Sequence, residues 1–322
     1  MPTMTSPVAS LEAQLDRAKN AALVVPSEDA VAFVVTGADR KTWLNGLVTC
    51  DLAPLKTNDA AYGLAVTQKG RILADVVVLV DAKGLVDEGA QVLVALPRHV
   101  AAEVRASFEK YLIMEDVEIA PETDRFVVSF VHGPRSGDVL AAARAAGAHG
   151  ATLDRTGRGG AVLFTPSDSI DAVTRAIGAS LEAVGGVFGD AAGWEALRVS
   201  RAIPRFGADF DGATYPQEVG LEKTAVSFSK GCYLGQEVVC MLEMRGHVKR
   251  RLVPLLIASG DPPVRGAEVS DAAGQKVGEV TSAAIVPSRG LTALAMIKVA
   301  HAEIGTALAI GGISASVVSP EA

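Results

Sequence analysis

Cysteine is scarce in this chain, which has only Cys50, Cys232 and Cys240, no two of them spaced as a CxxC pair. An odd count without that spacing excludes a disulfide scaffold and a self-contained four-cysteine metal site. Long apolar runs are missing as well: no stretch of about 18 or more apolar residues reads as a membrane span. The opening MPTMTSPVASLEAQLDRAKN has neither the basic start nor the apolar run of a signal peptide, so a cytoplasmic protein is expected. Basic residues are outnumbered, 30 against 37 acidic, and the formal charge of -7 does not suit direct nucleic-acid binding. One local basic run, Arg245 with Lys249, Arg250 and Arg251, has solvated or salt-bridged charge as its ordinary reading. Neither a low-complexity repeat nor a heptad array is present.

What is there fills cores. Hydrophobic residues make up 49% of 322 positions and charged ones 21%, enough for two or three modules. Leu11, Leu15, Ala18 and Ala22 recur at helical spacing, predicting an amphipathic leader helix within residues 1–24. Val31 to Val35 reads as a strand turning into a helix that carries Trp43, Leu44 and Leu47, with Asp39 as its N-cap. Ala61–Thr67 and Arg71–Val80 form a hairpin through Gln68-Lys69-Gly70. The two-residue period puts Leu73, Asp75, Val77 and Leu79 on one face, so Asp75 is a carboxylate among apolar neighbours. Burial there demands hydrogen bonds or a basic partner; a functional acid and a strand-edge residue reaching water both fit.

Further strands are expected at Gln91–Leu96, Val117–Ile119 and Arg125–Val131, with a helix opening at Pro97. His99 and His132 have no ligand pair nearby and read as non-functional. Gly157, Gly159 and Gly160 could cradle an anion, but no P-loop lysine and hydroxyl follow, so nucleotide binding is not expected. From Val253 onward short valine-rich pieces alternate with turns, the pattern of a small antiparallel barrel. The division is a leader at 1–24, a core of two interleaved α+β lobes at 25–250 and a barrel at 251–322.

The most site-like stretch is Ser227–Arg251, SFSKGCYLGQEVVCMLEMRGHVKRR. Gly231 and Gly235 allow close backbone approach or a positive φ, presenting Cys232, Tyr233, Gln236 and Glu237 on a tightly turned loop. A thiol beside Lys230 forms a thiolate more readily if exposed; as a buried small hydrophobe it is inert, and the local residues leave both readings open.

Lys230-Gly231-Cys232-Tyr233-Leu234-Gly235-Gln236-Glu237 resembles the KGCYxGQE signature of the YgfZ family, folate-binding relatives of the glycine-cleavage T protein implicated in iron-sulfur protein maintenance and tRNA modification. Gly37, Asp39, Leu44, Asn45, Gly46, Thr49 and Asp51 match its GxDxxxfLnG(l/q)xTxD segment, Lys69-Gly70-Arg71 its KGR element, and Val277–Ser282 the VGxVTS segment of the barrel. The resemblance implies an α+β, three-lobed aminomethyltransferase-like fold with a C-terminal antiparallel β-barrel, reduced folate in the middle and the cysteine loop near the rim. It also implies Cys232 and Asp75 as catalytic residues. Lys230, Tyr233, Gln236, Glu237, Arg198 and Arg245 would hold tetrahydrofolate or a folate derivative. Aminomethyltransferases carry a paired Asp-Asp where this chain has Ala74-Asp75, and a pterin-recognising glutamate where it has Ser200. Those departures favour an accessory factor, a monomer meeting iron-sulfur assembly factors or client enzymes, over a one-carbon transferase or an inert scaffold.

Overall fold

The computed structural model describes residues 9–82, 91–123, 125–244, 246 and 248–321. Helix α1 (Leu11–Asn20) and strand β1 (Leu23–Pro26) open the chain, with the Ser10 hydroxyl accepting from the Ala13 N–H as the helix cap. Five strands then form one sheet: β2 (Ala30–Thr36), β3 (Ala60–Val66), β4 (Ile72–Ala82), β5 (Gln91–Pro97) and β6 (Glu118–Thr123), in the order β3-β4-β5-β2-β6. Helices α2 (Arg40–Asn45) and α3 (Ala101–Glu109) cover its outer face, where Trp43, Leu44, Val104 and Phe108 meet Val76 and Val78. The second sheet takes up β1 with β7 (Phe126–His132), β8 (His149–Thr152), β9 (Gly160–Pro166) and β10 (Val187–Phe188), in the order β10-β1-β7-β9-β8. Its own outer face is closed by α4 (Ser136–Ala145) and α5 (Ile170–Val184).

The inner faces pack on each other. Val34, Val77, Leu79 and Leu93 of the first sheet share a core with Phe126, Val128, Val162 and Phe164 of the second. The period-two reading of the hairpin holds for Val77 and Leu79, which point to this inter-sheet core while Ala74, Val76 and Val78 point to the helices; Leu73, at the register irregularity opposite Ala65 and Val66, packs on the helix side instead. Asp75 therefore enters the space between the sheets, close to where they part.

Helix α6 (Ala191–Ser200), capped by the Asp190 carboxylate on the Gly193 N–H, connects these sheets to the remainder of the chain. Helix α7 (Gln236–Met244) follows the glycine-flanked loop. The strands β11 (Arg250–Ile257), β12 (Glu268–Ser270), β13 (Lys276–Val286), β14 (Gly290–Lys298), β15 (Ala307–Ile310) and β16 (Ile313–Val317) then close into an antiparallel barrel, β11-β14-β13-β12-β15-β16. Closure leaves the barrel with no open sheet edge. The α+β fold with a C-terminal barrel expected above is the one observed.

One local expectation needs correction. Asp39 precedes α2 but makes no side-chain cap; its carboxylate accepts instead from the Asp116 N–H at 2.9 Å, tying the helix start to the loop before β6. In the glycine-rich turn after β8 the backbone donors are engaged within the loop. The Asp154 carboxylate accepts from the N–H groups of Thr156, Gly157 and Gly159, each at 2.8 Å, so the loop's donors are bound to its own side chain.

Candidate functional site

The two sheets part around a cavity, with about 780 Å³ of empty space including its open mouth. Strands β1, β2, β4, β5 and β7, helix α6 and the loop at 204–206 all contribute to its wall. Asp75 projects from β4 into this wall, its carboxylate accepting from the Tyr62 hydroxyl at 3.0 Å and lying 3.9 Å from the Arg155 guanidinium. Burial raises its pKa, opposed by Arg155 and by the tyrosine hydrogen bond. Arg155 lies over the Tyr62 ring at 4.2 Å, which fixes the cation between an aromatic face and the acid. Asp75 is thus half-buried and has found the hydrogen bond and the basic partner that its apolar strand face demands.

Another part of the lining is flat and aromatic. His132, the last residue of β7, stacks on Trp194 of α6 with centroids 4.7 Å apart and planes 5° from parallel; Phe130 continues the stack at 6.3 Å. Burial, reinforced by the Arg155 charge, pulls the His132 pKa down to about 3, so the imidazole is neutral at any physiological pH. Sequence reading passed over this residue. Its one available signal was the strand period, which puts Phe130 and His132 on the same face of β7. Phe206 and Arg205 complete the rim, Arg205 lying 3.8 Å from Glu195.

The glycine-flanked loop is elsewhere. Cys232 is exposed, as are Gly231 and Glu237, and none of Cys232, Tyr233, Gln236 and Glu237 lines the cavity. Gly235 behaves as expected, with φ of 76° and a backbone so close to Thr67 that a Cβ would strike its carbonyl. Gly231 does not: it has no close neighbour and no positive φ. Gln236 reaches only the Gly231 carbonyl, at 3.5 Å, and it opens α7 with Glu237 in the first turn. Asp75 and Cys232 therefore serve different surfaces.

Lys230 is the clearest correction. Its ammonium does not address the thiol or a ligand but donates to the carbonyls of Asn45 at 2.6 Å, Val48 at 2.9 Å and Cys50 at 2.6 Å. All three N–H donors are matched. Burial lowers its pKa to about 8, and the neighbouring Cys50 and Asp51 oppose that shift. Cys50 itself is pushed up to about 12 by burial, an inert thiol. The Tyr233 ring is buried 5.4 Å from the Lys230 ammonium, so it too faces inward. Lys230→Met should strand three buried carbonyls and destabilise the protein by about 2–3 kcal/mol. Urea denaturation checks this; an unchanged midpoint would remove the structural role.

Arg198 is also not a ligand contact. It is 0% exposed, and its five N–H groups go to both Glu195 oxygens, to Asp209 Oδ2 at 2.7 Å, to the Ile203 carbonyl at 3.4 Å and to the Ser282 hydroxyl at 2.6 Å. Thr281 and Ser282 of β13 donate to the other Asp209 oxygen at 2.5 and 2.7 Å. The VGxVTS segment thus bolts the barrel to α6. Arg245 lies outside the described residues.

This geometry has known counterparts. Residues 7–152 match the GCVT N-terminal domain, and residues 250–320 match the glycine cleavage T-protein C-terminal barrel domain. A tRNA-modifying protein YgfZ from Yersinia pseudotuberculosis is 26% identical over 272 residues, covering 81% of this chain and 79% of its own. This chain has the T-protein fold and is similar to YgfZ proteins over most of its length. An aminomethyltransferase from Streptomyces coelicolor is 25% identical over 85% of this chain and 77% of its own. The crystal structure of aminomethyltransferase T from Bartonella henselae superposes with a TM-score of 0.79 over 96% of this chain and 88% of its own, at 21% identity, a likeness of fold. Among the described residues no helix is long and apolar enough to cross a membrane, and no cluster of histidine, cysteine and carboxylate side chains is arranged to hold a metal ion.

Proposed function

We propose that the protein binds a reduced folate in the cavity around Asp75 and acts as a YgfZ-type accessory factor in the assembly or repair of iron-sulfur proteins. The observation that carries this reading is the cavity itself: a half-buried, partnered carboxylate and a flat His132–Trp194 stack line one space on a T-protein fold. A pterin needs a flat slot with a few fixed polar groups, and this wall has that character. Asp75, Arg155 and His132 are the polar residues that would orient it, with Trp194 and Phe206 as apolar walls. The separate exposure of Cys232 fits a second task, contact with an iron-sulfur client or assembly partner outside the folate pocket. A single cysteine needs ligands from that partner to hold iron or sulfide.

The transferase reading is the weaker one. A methylene-folate transferase needs a free acid or base at the reacting carbon. Here the first acidic position is Ala74, and the remaining Asp75 is already engaged by Tyr62 and Arg155.

Calorimetric titration with tetrahydrofolate tests the proposal. Saturable binding is expected, with quenching of Trp194 fluorescence that Trp194→Phe abolishes. Cys232→Ser should keep the wild-type affinity, because the sulfur lies outside the pocket, while losing capture of iron-sulfur clients. No heat and no quenching from a folded protein would end the folate reading; a loss of folate affinity in Cys232→Ser would end the separation of the two surfaces.

A further inference from the structure

His132 is 2% exposed, and neither of its ring nitrogens has a hydrogen-bond partner among the described residues. A neutral imidazole has one donor and one acceptor, and burying either unpaired is costly. Such orphans in a folded protein call for an explanation. The ring is held flat between Trp194 and Phe130, planes within 5° and 11° of its own, so it cannot tilt toward a backbone partner without giving up both stacks. It stands in the wall of the cavity that also contains Asp75 and Arg155.

Asp75 and Arg155 already have partners. Asp75 has the Tyr62 hydroxyl, and Arg155 has the Asp75 carboxylate and the Tyr62 face. His132 is thus a buried polar side chain of the cavity wall that is positioned without being satisfied. Burial, reinforced by the Arg155 cation, keeps the ring an uncharged donor and acceptor. Its two nitrogens point away from each other around the ring, so the one facing the cavity offers a single hydrogen bond to a neutral N–H or C=O of a ligand.

We propose that His132 is a specificity-determining residue of the cavity, giving one hydrogen bond to an N–H or C=O on the edge of a planar heterocycle that the Trp194 stack orients. This rests on the folate reading and deepens it, assigning the pterin end of the ligand to the His132 wall. A site that hydrogen-bonds its ligand through desolvated groups discriminates strongly against analogues lacking them.

Two substitutions and two probes test the assignment. His132→Phe preserves the flat stack and deletes both nitrogens; His132→Gln restores a donor and an acceptor without the ring. Tetrahydrofolate and p-aminobenzoylglutamate, which lacks the pterin, are titrated into each by calorimetry, and the unliganded proteins are melted. The expected result is about a ten-fold weaker affinity of His132→Phe for tetrahydrofolate, the size of one lost hydrogen bond. Partial recovery is expected in His132→Gln, with unchanged p-aminobenzoylglutamate binding and a melting temperature no lower than wild type. Equal tetrahydrofolate affinity in wild type and His132→Phe would overturn the assignment while leaving the folate reading intact. Parallel loss for both probes would overturn it in favour of a packing role. Wild-type protein that binds neither probe would overturn the folate reading and the assignment with it.

Discussion

Replacing Arg198 by methionine is expected to destabilise the protein by about 3–5 kcal/mol, the range for removing one partner of a buried ion pair. Methionine roughly fills the space, so the penalty is electrostatic. The Asp209 side chain is fully buried and would keep only the Thr281 and Ser282 hydroxyls and the Arg205 N–H. Glu195 would lose its bidentate partner while retaining Arg205 at 3.8 Å. Arg198→Lys should recover little, because a single ammonium cannot serve the divergent acceptors that the guanidinium fork reaches. The double variant Arg198→Met with Asp209→Asn should be less damaged than the sum of its parts, since the stranded charge is gone. Denaturant midpoints for the four proteins decide the matter. Additive losses would mean that the barrel is held to α6 by packing alone.

The second large effect is a dependence on acid. Unfolded His132 takes up a proton below its ordinary value of 6.5, whereas the folded residue resists protonation until about pH 3. Between those values the unfolded chain binds more protons, so stability falls as pH falls, by up to about 1.4 kcal/mol per pH unit. Asp75 slopes the other way: its raised pKa means the folded carboxyl holds its proton more tightly than the unfolded one. Asp154, with a lowered pKa from three backbone N–H groups, slopes in the same direction as His132. The difference between wild type and His132→Phe isolates the imidazole. Denaturation of both from pH 7 to pH 4 should show the variant losing markedly less stability than wild type; parallel curves would place the imidazole in contact with water or a partner.

Much of the architecture could be read one residue at a time. The hairpin at 60–82 follows from period-two alternation on either side of Gln68-Lys69-Gly70, and β5 and α3 from the apolar spacing around Pro97. The barrel follows from short valine-rich strands between turns. Asp75 stood out because a carboxylate on an apolar strand face has to find partners. The identity of those partners could not be read, since Tyr62 lies on the neighbouring strand but Arg155 follows β8 in the other sheet. His132 was passed over for the same reason: Trp194 reaches it only because α6 packs across the end of β7.

Residue chemistry and spacing alone determined the hairpin, the strand at 91–97, the helix after Pro97, the barrel and the eight-residue signature at 230–237, because these depend on local backbone preference and on which face a side chain takes. Only the tertiary structure decided what the polar residues do. Lys230 and Arg198 looked like ligands for an anion and are internal ties; His132 looked inert and faces the cavity; Cys232 and Asp75, paired by expectation, stand on separate surfaces. A buried polar side chain is assigned its role by whichever donors and acceptors surround it, and those come from segments far apart in the chain.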